Sequence, residues 1–143
     1  MSNDTSLPLR RAILIALKTD SATTALVPAD HIYPPQTPAL PTWPFVRYGA
    51  ITQLPFRGAG LDGSTMVGAV HAFAKGPGED AVSLIGRTIA KLLDGPNGAG
   101  LVLHLEGGVG TAIAQHTGNT ILQDPVEADA WHCVCNFEAT VTS

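Results

Sequence analysis

Charge is what this sequence has least of. Asp, Glu, Lys and Arg make up only 14% of its 143 residues while 45% are apolar, against about 25% charged in an ordinary soluble domain. So few ionic groups cannot coat a free exterior, which leaves a membrane protein or a domain that hides part of its outside against copies or partners. Long hydrophobic runs are missing as well. The longest, Ala12 to Leu17, falls far short of the ~20 residues a spanning helix needs, so no segment is expected to cross a bilayer. The same run behind Arg10 and Arg11 is too short for a secretory signal, and the chain is expected to be cytoplasmic when made. Basic clusters are absent: Lys and Arg number 8 against 12 Asp and Glu, a formal charge of −4. Tight nucleic-acid binding, which rests on neutralising phosphates, is thereby excluded. Cysteines number two, Cys133 and Cys135, too close in sequence for an ordinary disulfide, and read as small buried hydrophobes in a reducing compartment.

What is present organises into a single domain over residues 1–143. Ser6 to Lys18 reads as a helix, with Ser6 as N-cap, Pro8 in the tolerated first turn and Leu9, Ile13 and Leu17 at helical spacing. Asp20 is expected to cap a short second turn. Prolines 34, 35, 38, 41 and 44 then exclude helix and central strand, predicting an extended, ordered arm. Phe45 to Phe56 and Ser64 to Lys75 read as strands around the glycines at 58 to 63. The clearest helix follows, with acidic Glu79 and Asp80 in its first turn, Val82, Ile85, Ile89, Leu92 and Leu93 on one stripe, and Gly95-Pro96 as its stop. Leu101 to Leu105 and Thr120 to Gln123 read as strands flanking a Gly-rich loop, Glu106 to Asn119, and Ala130 to Thr142 reads as the last strand.

This order lacks βαβ alternation, so the expected fold is α+β, a mainly antiparallel sheet of about four or five strands flanked by two main helices and a Pro-rich arm. In the last strand Trp131, Cys133, Cys135, Phe137 and Val141 alternate with wetter His132, Asn136 and Glu138. The strand at 64 to 75 is apolar on both faces: Val67, Ala69 and Phe73 on one, Met66, Val70, Ala72 and Ala74 on the other. It is expected to sit centrally, with part of its cover coming from another subunit.

Residues that imitate chemistry fail on their surroundings. Gly58, Gly63 and Thr65 fall on a phosphate-loop template, but Ser64 stands at the lysine position and a strand follows where a helix is required. His104, Glu106, Cys133 and Cys135 imitate a zinc-deaminase set without its PCxxC spacing, and His132 with the CxC pair lacks a second ligand pair. His71 and His116 could each act as a base, yet Ser64 and Ser83 lack the nucleophile elbow. Trp43, Phe45 and Tyr48 read as packing between the arm and the sheet. Neither a cofactor nor a metal is expected, and no enzyme activity.

Two loops exceed what the fold needs, and long loops in compact domains are usually functional. Phe56, Arg57, Leu61 and Asp62 in the first, and Gly107, Val109, Thr111 and His116 in the second, are the expected partner contacts.

The segments from Leu9 to Asp20, His31 to Gly49 and Val70 to Gly95 resemble the tail-terminator, or tail-completion, proteins of long-tailed bacteriophages and gene transfer agents. The matching residues are Ile32, Tyr33 and Pro34; Pro44, Phe45, Val46 and Tyr48; and Leu93, Asp94 and Gly95. The segment after Leu105 has no match in that pattern. The resemblance implies a virion protein forming a ring, typically of six copies. Such a ring caps the tail tube, ends its growth and joins the tail to the head. It further implies self-association, contacts with the tail-tube protein and a head-completion or neck protein, and DNA passing through the lumen. Another neck or head-completion adaptor, and a small His-dependent enzyme, are the alternative readings.

Overall fold

The computed structural model describes residues 6–34, 41–55, 63–108, 110–124 and 129–142. Helix α1 spans Ser6–Thr19 and α2 Ser21–Leu26; strand β1 is Ile32–Tyr33, β2 Phe45–Pro55 and β3 Gly63–Lys75; helix α3 is Asp80–Asp94; strands β4 Leu101–Leu105, β5 Gly110–Gln123 and β6 Ala130–Thr142 complete the chain. The fold is α+β. All strands join one sheet in the order β1-β2-β3-β6-β5-β4, antiparallel except for the short parallel pairing of β1 with β2. No helix among the described residues is long and apolar enough to cross a membrane.

Local chemistry accounts for the helices. Leu9, Ile13 and Leu17 of α1 are buried, each one turn from the next, as the spacing predicts. Ser6 lies inside α1 instead of capping it. Asp20 does cap α2: its carboxylate accepts from the Thr23 amide at 3.0 Å and from the Thr23 hydroxyl at 2.6 Å, satisfying an orphan donor and a buried hydroxyl together. On α3 the buried stripe is Val82, Ile85, Gly86, Ile89 and Leu93. Gly86 has a packing role, since a Cβ there would lie 2.5 Å from Cys133 Sγ. Its absence lets α3 settle directly onto β6.

Among the described residues the sheet carries six strands, where the sequence predicts about four or five. The larger correction concerns the segment read as a Gly-rich loop. Glu106–Gly108 is a short 3-10 turn, and Gly110–Gln123 is one continuous 14-residue strand. Ala112 and Ala114 face the core while Ile113 and Gln115 face out, an alternation that decides for a strand. Of the two glycines in this strand, Gly118 sits beside a register shift between His116 and Gly118, as glycines at bulges do. A second shift interrupts β2 between Tyr48 and Ile51. Bulges bend strands, and this sheet curls until α1 touches both β2 near one edge and β4 at the other. Arg11 closes that contact with an exposed ion pair to Glu106 at 2.6 Å.

The core is therefore one-sided. Val46 and Tyr48 of β2, Met66, Val70 and Ala72 of β3, Ala112 and Ala114 of β5, and Cys133, Cys135, Phe137 and Ala139 of β6 are buried with the helical stripes. β3 lies in the interior of the sheet, as its two apolar faces predict.

Candidate partner-binding face

Directly paired residues of neighbouring strands share a face, so the register shows what the side away from the helices displays. One row crosses five strands: Leu54, Thr65, Thr140, Ile113 and Val102. The next holds Thr52, Val67, Glu138 and Gln115, and beyond a middle of Ala69, Asn136 and Gly118 come Arg47, His71, Val134 and Thr120. The last is Phe45, Phe73, His132 and Leu122. Leu54, Val67, Val102, Ile113 and Leu122 on this face are 37–53% exposed, whereas the helices contribute only Leu7, Ile15 and Leu84 to the large exposed apolar side chains described. An apolar surface gathered on one side marks an interaction site, in a way that scattered apolar residues do not.

At one end of the face stands an aromatic ladder. Phe45 stacks on Phe73 with centroids 4.5 Å apart, Phe73 on His132 at 4.2 Å, and Trp43 meets Phe45 edge-on at 5.0 Å. Trp43, from the arm, thus packs on the sheet as the sequence predicts. The Arg47 guanidinium lies over Phe73 and the Lys75 ammonium over Trp43, cations on the negative faces of the rings.

His71 Nδ1 and His132 Nε2 are 2.8 Å apart, so one ring donates and the other accepts. Gly49 makes the room: a Cβ there would sit 2.6 Å from His71 Nε2. Both imidazoles are held below their ordinary pKa, His71 by burial and then by Arg47, His132 down to about 4 by burial and then by His71 and Arg47, with Asp124 opposing.

The remaining sequence candidates fall elsewhere. Phe56, Arg57, Leu61, Asp62 and Val109 lie outside the described residues. The strand ends flanking residues 56–62 share one end of the sheet with Thr111 and the Glu106–Gly108 turn, where Gly107 takes a φ of 77°. Thr111 is on the open face, paired with His104. His116 is on the helix side: its amide donates to Asp94 Oδ1 at 3.1 Å and its Nε2 bonds Asn119 Oδ1 at 2.7 Å.

The deaminase-like set is split by strand parity, with His104 on the open face and Cys133 and Cys135 buried under α3. Contact with Cys133 and burial push the Cys135 thiol far up, which leaves it unreactive. The sequence reading missed the His71–His132 pair, because parity gives each residue a face within its own strand but not the pairing of β3 with β6.

Fold and face together define an α+β domain that presents one whole side of a curled sheet. The chain belongs to the family of tail completion protein gp17, whose model matches residues 11–142. Among solved structures it is similar to a chain of the virion of a native gene transfer agent particle. Identity is 17%, the TM-score is 0.81, and the match covers 99% of this chain and 100% of that one. A second solved chain is 19% identical with a TM-score of 0.57, covering 99% of this chain and 97% of the other. No curated protein matches significantly.

Proposed function

We propose that this protein is a structural component of a phage-like virion, closing into a ring that caps the tail tube, ends its polymerisation and joins tail to head. The observation that carries the reading is the open sheet face, with five exposed large apolar side chains and an aromatic ladder. Strands β3, β5 and β6 run 13–14 residues. At about 3.3 Å per residue and about 4.8 Å between strands, the face covers on the order of 800 Å², about one partner's share of a standard interface. Its occupant is a second copy of the chain, because a protein this poor in charge gains most by shielding itself. A closed ring hides two different patches on every copy, and the resemblance gives six copies.

Family membership supports the place in the virion, and the gene transfer agent likeness agrees with it. The partners are then the tail-tube protein on one rim and a head-completion or neck protein on the other, with DNA passing through the lumen. The sheet end that holds Gly107 and Thr111, bounded by the segment with Phe56, Arg57, Leu61 and Asp62, is assigned to a rim; Val109 and His116 belong to the same stretch. The function is structural and not enzymatic.

Sedimentation of the purified chain over a range of concentrations tests the ring: a discrete multimer is expected, and Ile113→Asp with Leu122→Asp converts it to a folded monomer. A wild-type chain that stays monomeric at every concentration sinks the reading. Particles lacking the protein are expected to show overlong or headless tails by negative staining.

A further inference from the structure

We propose that the self-contact is centred on the aromatic and imidazole ladder and forms only while His71 and His132 are both neutral, so that acid releases the copies from one another. The inference rests on the ring reading above and adds its chemistry.

The ladder is the part of the face where flat rings already lie stacked, at 4.5 Å and 4.2 Å between successive centroids. Aromatic groups of this kind dominate contact energy when a partner covers them. His132 extends the stack and holds His71 by a 2.8 Å hydrogen bond. That bond needs one ring nitrogen free to accept, so a doubly protonated pair cannot keep it. Covering the face with a second copy removes water from both rings, and desolvation disfavours the charged form.

The nearest cation acts in the same direction. Arg47 on β2 lies beside His71, and Lys75 on β3 sits over Trp43. The acids are Asp124 just past β5, which opposes the depression of His132, and Glu138 on β6, beside Val67 and Gln115. A proton added to the pair therefore enters an aromatic stack with the Arg47 cation beside it, opposed by Asp124.

The sign follows from linkage. A base held below its ordinary value of about 6.5 favours the state in which it is neutral. For association the reference is the free protomer, whose imidazoles are already depressed, His132 to about 4. Cover by a second copy depresses them further, so the advantage of contact is complete above the free protomer's value and is lost as pH falls below it.

The experiment is sedimentation of the full chain from pH 7.5 to about pH 3, with near-ultraviolet circular dichroism at each pH to confirm folding. The wild type is expected to be multimeric at pH 7.5, to hold its association constant down to about pH 5, and to lose about tenfold of it by about pH 3, one unit below the value of about 4 held by His132. His71→Phe with His132→Phe is expected to stay assembled across the range, and His71→Gln with His132→Gln repeats the test with neutral polar groups. His132→Lys, a fixed charge, is expected to dissociate the multimer at pH 7.5. A folded multimer of unchanged association constant at about pH 3, or the same loss in both histidine-free variants, overturns this inference and leaves the ring standing. A wild-type monomer at pH 7.5 overturns both.

Discussion

Neighbouring residues along β6 live in different surroundings. Cys133, Cys135, Phe137, Ala139 and Val141 are buried beneath the helices, while His132, Val134, Asn136, Glu138 and Thr140 point the other way and stay at least partly exposed. That is the ordinary arrangement of a one-sided sheet. β3 next to it departs from the rule. Its covered side is Met66, Val70, Ala72 and Ala74, all buried, but its open side carries Val67, Ala69 and Phe73 with only His71 among them to break the apolar series. Folding needs the first set; of the second, Phe73 also packs within the protomer, between Phe45 and His132, while Val67 stays exposed. The contrast separates two demands on one sheet: the helix side holds the domain together, and the apolar excess on the open side serves a contact outside the protomer.

The comparison is broken most directly by deleting one large side chain from each face. Phe137, 2% exposed, lies on the covered side, and Phe137→Ala is expected to cost about 3–5 kcal/mol through lost burial and a residual cavity. Ile113→Ala on the open side is expected to change the monomer by less than about 0.5 kcal/mol, as surface substitutions do, while weakening self-association. Urea denaturation at concentrations too low for assembly measures both. Equal losses would mean that the open face is structural after all.

A finer probe asks how tightly the covered side is fitted. Gly86→Ala places a methyl group 2.5 Å from Cys133 Sγ, and overpacking of this kind costs roughly 1–3 kcal/mol. Cys133→Ala vacates that sulfur, so the double variant is expected to be more stable than the sum of the two changes predicts. Additive costs in the cycle would show that α3 rides higher on the sheet than this contact requires.

How far the sequence discloses this division depends on which residues speak. Periodicity places α1 and α3 to within a residue or two, because Leu9, Ile13 and Leu17, and Val82, Ile85, Ile89 and Leu93, recur at helical spacing along one buried stripe. The limits of β6 and the interior position of β3 are legible in the same way. β5 is not. Its glycines and small residues hide an alternation that rests on Ala112 and Ala114 beneath long cross-strand pairing. Low β-propensity yields there to the register imposed by β4 and β6 on either side. Register also explains why the site was only half visible. Sequence parity assigns each residue a face within its own strand, but the meeting of Phe45, Phe73, His132 and Leu122 in one row depends on pairings that skip along the chain, β3 with β6 and β6 with β5. The family resemblance concerned backbone signatures such as Ile32, Tyr33 and Pro34, and said nothing about that row.

The smallest expected effect sharpens the contrast best, because the same chemical change can be made in opposite directions on the two faces. Val and Thr have nearly the same shape and both favour strands, so exchanging them alters a methyl for a hydroxyl and little else. Val70→Thr on β3 puts a hydroxyl where the side chain is fully buried, and without a partner it should cost about 1–3 kcal/mol. Thr140→Val on β6 removes a hydroxyl from the open row between Thr65 and Ile113. Monomer stability should stay within about 0.5 kcal/mol. The self-contact should tighten by roughly two- to fourfold, since one methyl newly buried is worth at most about 0.8 kcal/mol. Sedimentation of the two variants beside the wild type reads both numbers. A Thr140→Val multimer weaker than the wild type would mean that this hydroxyl bonds a polar group of the neighbouring copy, making that row a place of recognition instead of simple burial.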